Sequence, residues 1–163
     1  MEVRDSAFNN NYANNGGAIY NTDGLSILNC TFTSNEVSAS PDSHDCEVDF
    51  KGGAIYNGGG ALDVKDSIFA SNHADITGGA IYNTDSLYVE NCKFISNSAE
   101  NSGAIATLNY DLQRDYLVID NNEFINNEAS IDGGAIYKTT SGTLGYNRFT
   151  GNAPNNIKIT DFN

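Results

Sequence analysis

Four tyrosines are the residues of this chain best suited to meet a ligand: Tyr20, Tyr56, Tyr82 and Tyr137. Each closes the same phrase, Gly-Gly-Ala-Ile-Tyr. A phenol offers a flat apolar face and a hydroxyl, which suits a sugar ring or a partner protein. If Ile19, Ile55, Ile81, Ile105 and Ile136 point inward, their outward neighbours are Ala18 and Tyr20, Ala54 and Tyr56, Ala80 and Tyr82, Ala104 and Ala106, and Ala135 and Tyr137. The spacing therefore predicts an exposed aromatic ladder, interrupted at Ala106. Rings that stack only to stabilise a sheet face would leave the same pattern.

Other groups could do chemistry of a different kind. The stretch Pro41–Glu47 gathers His44, Cys46 and several carboxylates, and His73 falls in the same corner one repeat later. His44, Cys46 and His73 form a candidate metal site, although their spacing matches no standard zinc pattern and a solvated acidic loop explains them more simply. Asp111-Leu112-Gln113-Arg114-Asp115 sets Arg114 between two acids, where an enzyme could use it; a local surface ion pair is the plainer reading. Enzymes that cut polysaccharides need paired carboxylates, or calcium held by Asp with a basic residue to take a proton. The outward positions beside the tyrosines hold no acid, histidine or base, and Lys138 stands alone at one edge. That absence argues against catalysis, so no catalytic residue and no cofactor is assigned. Gly58–Asp63 imitates a calcium-binding nonapeptide but occurs once and in the wrong period. Asn29-Cys30-Thr31 is a formal glycosylation sequon at a stacked corner.

The elements that must position these residues follow from repetition. The glycine phrase stands at Gly16–Tyr20, Gly52–Tyr56, Gly78–Tyr82 and Gly133–Tyr137, with a decayed copy at Ser102–Ala106. A second phrase, Phe-x-x-Asn, alternates with it at Phe8/Asn11, Phe32/Asn35, Phe69/Asn72, Phe94/Asn97, Phe124/Asn127 and Phe149/Asn152. Two interleaved motifs at one spacing mean one unit of about 25 residues copied about six times. The extra length falls in two corners, near 37–47 and 107–115, as a stacked repeat requires.

Within a unit the pattern predicts three short strands. These are Gly-Ala-Ile-Tyr; Leu25-Ser26-Ile27 and its echoes Leu62-Asp63-Val64, Leu87-Tyr88-Val89 and Leu117-Val118-Ile119; and Cys30-Thr31-Phe32 with its echoes. Apolar residues two apart mark a strand with one buried face. Asp5, Asn29, Asp66, Asn91 and Asn121 recur at one corner, where such residues tolerate positive φ and can bond to the same position one coil away. With no long amphipathic helix, residues 1–163 read as one all-β domain, a parallel β-helix. Six coils at about 4.8 Å each give a rod roughly 30 Å long. A small-residue column, Ser6, Cys30, Ser67, Cys92, Asn122 and Asn147, should run just inside the Phe column. Cys30 and Cys92 are then two coils apart, beyond disulfide reach.

Composition narrows the function. The net charge is −13, with only 8 Lys and Arg, which opposes binding to nucleic acid or to an anionic membrane. No apolar run is long enough to span a membrane. The chain starts in mid-unit and shows no leader or anchor, so we expect it to be a piece of a longer array whose further coils are its immediate partners.

The alternating Gly-Gly-Ala-Ile and Phe-x-x-Asn phrases resemble the repeat of the chlamydial polymorphic outer-membrane proteins. The fuller Asn-Cys-x-Phe-x-x-Asn…Gly-Gly-Ala-Ile-Tyr-Asn phrasing is similar to the adhesin-like surface proteins of methanogenic archaea. The resemblance implies a right-handed, pectin-lyase-like β-helix at the cell surface, outside the cell, binding a glycan or protein of a host or neighbouring cell. A polysaccharide lyase or hydrolase on the same fold, and a pure spacer in a surface stalk, are the alternatives.

Overall fold

The computed structural model describes residues 1–39, 50–108, 116–139 and 142–160. It contains no helix among these residues. Four sheets run along the rod, all built from parallel neighbours one coil apart. The leucine sheet stacks Glu2–Arg4, Leu25–Leu28, Leu62–Lys65, Leu87–Glu90, Leu117–Asp120 and Thr143–Leu144. The phenylalanine sheet stacks Ala7–Asn9, Thr31–Thr33, Ile68–Ala70, Lys93–Ile95, Glu123–Ile125 and Arg148–Thr150. A short sheet stacks Tyr12–Ala13, Glu36–Val37, His73–Thr77, Ser98–Asn101 and Glu128–Asp132. The tyrosine sheet stacks Ile19–Asn21, Ile55–Asn57, Ile81–Asn83, Ile105–Thr107, Ile136–Lys138 and Ile157–Ile159.

The chain is thus a parallel β-helix, but each full coil has four strands where the sequence pattern predicts three. The additional strand is the short one after Phe-x-x-Asn. Its first inward residues are Val37, Ala74, Ala99 and Ala129, all buried. A single buried apolar side chain per strand cannot produce a period of two, so the alternation that marks the other strands is missing.

Each motif has a physical cause. Phenylalanine points into the core, and Phe32, Phe69, Phe94 and Phe124 are fully buried. Their rings stack along the rod with centroids 4.8–4.9 Å apart, the rise of one coil. Burying each ring stabilises the fold by roughly 2–3 kcal/mol. The residue two after it turns the corner with positive φ: Asn10, Ser34, Ser71, Ser96 and Asn126, at 52–55°. The asparagine that follows then points inward. Asn72 accepts at Oδ1 from the backbone N–H (3.0 Å) and side-chain amide (2.9 Å) of Asn35, and its own amide donates to Phe32 O and Asn97 Oδ1. The same bonds recur at Asn35, Asn97 and Asn127, so one buried ladder satisfies a corner that would otherwise strand backbone groups.

The two glycines of the other phrase do different work. The first, as Gly52 (φ 71°) or Gly78 (φ 70°), occupies left-handed space, and Ser102 does so in the decayed copy at 59°. The second has no room for a side chain: a Cβ on Gly53 or Gly79 would collide with the carbonyl oxygen of the next coil's glycine. The decayed copy keeps that second residue, Gly103.

Asp5, Asn29, Asp66, Asn91 and Asn121 all have φ of 50–56°, as expected. Asn29 donates to Asp5 and Asn121 to Asn91, each across one coil. The small-residue column also forms: Cys30 N–H donates to Ser67 Oγ (3.0 Å), Cys92 N–H to Asn122 Oδ1 (2.8 Å), and Asn122 N–H to Asn147 Oδ1 (3.0 Å). Cys30 and Cys92 are buried free thiols.

Candidate ligand-binding face

The tyrosine sheet places its isoleucines inward and its tyrosines outward. The register aligns Tyr20, Tyr56, Tyr82, Ala106, Tyr137 and Lys158 in one column. Tyr20 and Tyr56 stack with centroids 4.8 Å apart and planes 2° from parallel; Tyr56 and Tyr82 follow at 5.1 Å and 27°. Beneath the rings, Asn21 donates to Asn57 Oδ1 (2.6 Å) and Asn57 to Asn83 Oδ1 (2.7 Å), a second buried amide ladder that holds the strands in register.

Two expectations for this face need correction. The alanines of the phrase are not outward. Ala54, Ala80, Ala104 and Ala135 are fully buried, because the N–H groups of Ala and the following Ile both donate to one carbonyl of the next coil. That shared acceptor breaks the alternation at the corner, so the tyrosine alone faces out. Nor is the ladder exposed along its length. Tyr20 is 59% exposed and Tyr56 and Tyr137 are half-buried, but Tyr82 is only 4% exposed. The Lys51 ammonium lies 5.1 Å from the centre of the Tyr82 ring, a cation–π contact. The accessible platform is therefore the Tyr20–Tyr56 end.

Tyr137 lies beyond the gap at Ala106, and its hydroxyl is 3.2 Å from Thr160 Oγ1. A cleft of about 300 Å³ opens beside it, at the seam with the short sheet, with Lys51, Ile76 and Leu108 in its walls.

Three segments of the chain, residues 5–22, 66–84 and 123–139, match one family. It is the Chlamydia polymorphic membrane protein repeat. Each matched stretch covers the phenylalanine, short and tyrosine strands of one coil. Each leaves out the leucine strand. Each matched stretch therefore holds a corner asparagine, two glycines and an outward tyrosine. No curated protein and no solved structure matches the chain.

The remaining candidates separate. His44 and Cys46 lie outside the described residues, as do Asp111, Arg114 and Asp115. His73 is on the outer face of the short sheet, with Nδ1 2.9 Å from Ser98 Oγ and Nε2 3.2 Å from Asp75 Oδ1. Asp75 is anchored in turn by the Ala39 N–H. This is a serine–histidine–aspartate chain, yet the Ser98 N–H donates to Asn72 O in the ladder and is not available to stabilise an oxyanion. Its evident work is to tie one coil to the next.

One group was missed at the level of sequence. Lys93, Glu123 and Arg148 occupy one outward column of the phenylalanine sheet. Lys93 Nζ is 3.1 Å from Glu123 Oε2, and Arg148 Nη1 is 3.2 Å from Oε1. Tyr146, 89% exposed, stands beside them where earlier coils have Asn or Asp. The signal was present, since each of the three residues directly precedes a phenylalanine of the repeat. No repeated residue type marks that position, which holds Ala7, Thr31 and Ile68 in the earlier coils, so only the register joins the three charges.

Proposed function

We propose that this chain is a surface-associated repeat domain, a rigid rod that makes contact with a glycan or protein of another cell. The matched repeat supports the surface setting, since the family it describes consists of membrane proteins. The likeness to archaeal adhesin-like proteins rests on the phrases alone. The observation that carries the contact role is the parallel Tyr20–Tyr56 pair at the accessible end of the tyrosine sheet. Two stacked phenols held by a rigid sheet present amphipathic area that loses little conformational entropy on binding.

The test is incubation of the purified domain on arrays of glycans and of cell-surface proteins, alongside a Tyr20→Ala/Tyr56→Ala variant. Retention on a ligand by the parent and at least tenfold weaker retention by the folded variant is the expected result. Equal retention would remove the tyrosine face from the account.

A second reading is a polysaccharide-cleaving enzyme, favoured by the Lys93–Glu123–Arg148 column. It sets one carboxylate between two cationic side chains on one face, the part of an acid–base constellation that the tyrosine sheet does not offer. Chromatography of the retained sugars decides between the two. Shortened products that vanish with Glu123→Gln would establish cleavage, whereas intact sugars leave the contact reading in place.

A further inference from the structure

A groove of about 320 Å³ opens on the outer face of the leucine sheet, which the matched repeat does not include. Its floor follows from register. Leu25, Leu62, Leu87 and Leu117 align, so the residues before them stack as Gly24, Ala61, Ser86 and Tyr116. Three small residues are followed by one large one, and the Tyr116 ring, 78% exposed, walls the end of the groove. The adjacent outward column contributes Asp63 and Tyr88. Lys65 completes the wall, its ammonium 4.8 Å from the centre of the Tyr88 ring and 3.6 Å from Asp63 Oδ2. The other oxygen of that carboxylate, Oδ1, is buried with no hydrogen-bond partner.

These features define a ligand by its chemistry. The volume is at the small end of ligand sites, enough for about one six-membered ring with substituents. Two phenols suit the apolar C–H face of such a ring. The Asp63 side chain is 43% exposed in the groove wall, so its carboxylate can accept a hydroxyl there. Lys65 already balances Asp63, and the chain carries a net charge of −13, so an anionic sugar would be repelled.

We propose that this groove binds a single neutral pyranose ring, packed against Tyr116 and Tyr88 and donating a hydroxyl to Asp63. The site is separate from the tyrosine sheet and does not depend on contact through it.

The experiment is saturation-transfer NMR and titration of the whole chain with the methyl glycosides of glucose, galactose, mannose and N-acetylglucosamine, and with methyl glucuronide as the charged control. At least one neutral glycoside should show transfer to its ring protons and bind more tightly than the glucuronide. Tyr116→Ala and Asp63→Ala should each weaken binding about tenfold, the loss of one stacking or hydrogen-bond contact. Tyr12→Ala, on the short sheet and outside both faces, should leave it unchanged, which ties the signal to this groove. Asp63→Asn keeps an acceptor oxygen and should retain most of the affinity. Matching thermal melts would show that each variant is folded, and Tyr116 is exposed enough to be removed safely. Absence of transfer from all four neutral glycosides, preferred binding of the glucuronide, or wild-type affinity in folded Tyr116→Ala would overturn the proposal.

Discussion

Cys92 illustrates how completely a coil interior removes a side chain from solvent. Its thiol sits between Ser67 and Asn122 in the small-residue column, with Sγ 3.2 Å from Glu90 O. Burial pushes its pKa up to about 12, because the thiolate would lose hydration and gain no cation. A raised pKa keeps the nucleophilic form absent at neutral pH. In a Cys46→Ser background, Cys92 should react with a disulfide reagent only at the rate of global unfolding, and at once in denaturant. Rapid native-state labelling of Cys92 would show that the coils open locally. Cys30, equally buried in the same column, is with Cys92 a structural filler of it.

The corner asparagines show what a repeated element contributes that one residue cannot. Each ladder position satisfies groups in the coils on both sides of it, so removing one leaves partners behind in two places. Asn72→Ala would strand the Asn35 N–H and the Phe32 carbonyl, both in the interior. The expected cost is about 1–3 kcal/mol for each group left without a partner. Asn152, in the last described coil of this ladder, is partly exposed, so water can replace what Asn152→Ala removes. Urea denaturation should therefore show the larger loss for Asn72→Ala. Equal losses would mean that the ladder is hydrated along its whole length. The motif Phe-x-x-Asn was plain in the sequence, but its purpose was not. The positive φ of Ser71, one residue before Asn72, is what turns the amide inward, and no periodicity reports a corner.

The rod as a whole carries net charge −13 on a shape in which each coil touches only its neighbours. Most cations among the described residues are already engaged, as Lys158 is with Asp132 at 2.8 Å and Lys93 and Arg148 are with Glu123. The unbalanced remainder repels itself. Screening should therefore stabilise the fold: raising sodium chloride from 20 to 500 mM is expected to raise Tm by about 2–4 °C, an effect on the order of 1 kcal/mol. A fall in Tm with salt would show that the surface ion pairs outweigh the net repulsion.

Repetition made the architecture legible without coordinates. A side chain that recurs in every coil must stack on itself, so the Phe, Ile and Leu columns, the Asn and Asp corners and the glycine pairs could all be placed from spacing alone. What spacing could not supply is whatever lacks a period of its own, turns on the path of a corner, or occurs once. The short sheet has too few inward residues to show a period. The burial of Tyr82 depends on what lies over one ring in one coil. The Lys93–Glu123–Arg148 column joins three residues that share a register and no motif. The leucine-sheet groove exists because Tyr116 follows three small residues in space, although 30 residues of chain separate it from Ser86. Local sequence sets which way a side chain faces, through the pleat and the corner; only the stacking of coils decides which side chains become neighbours and which of them water can still reach.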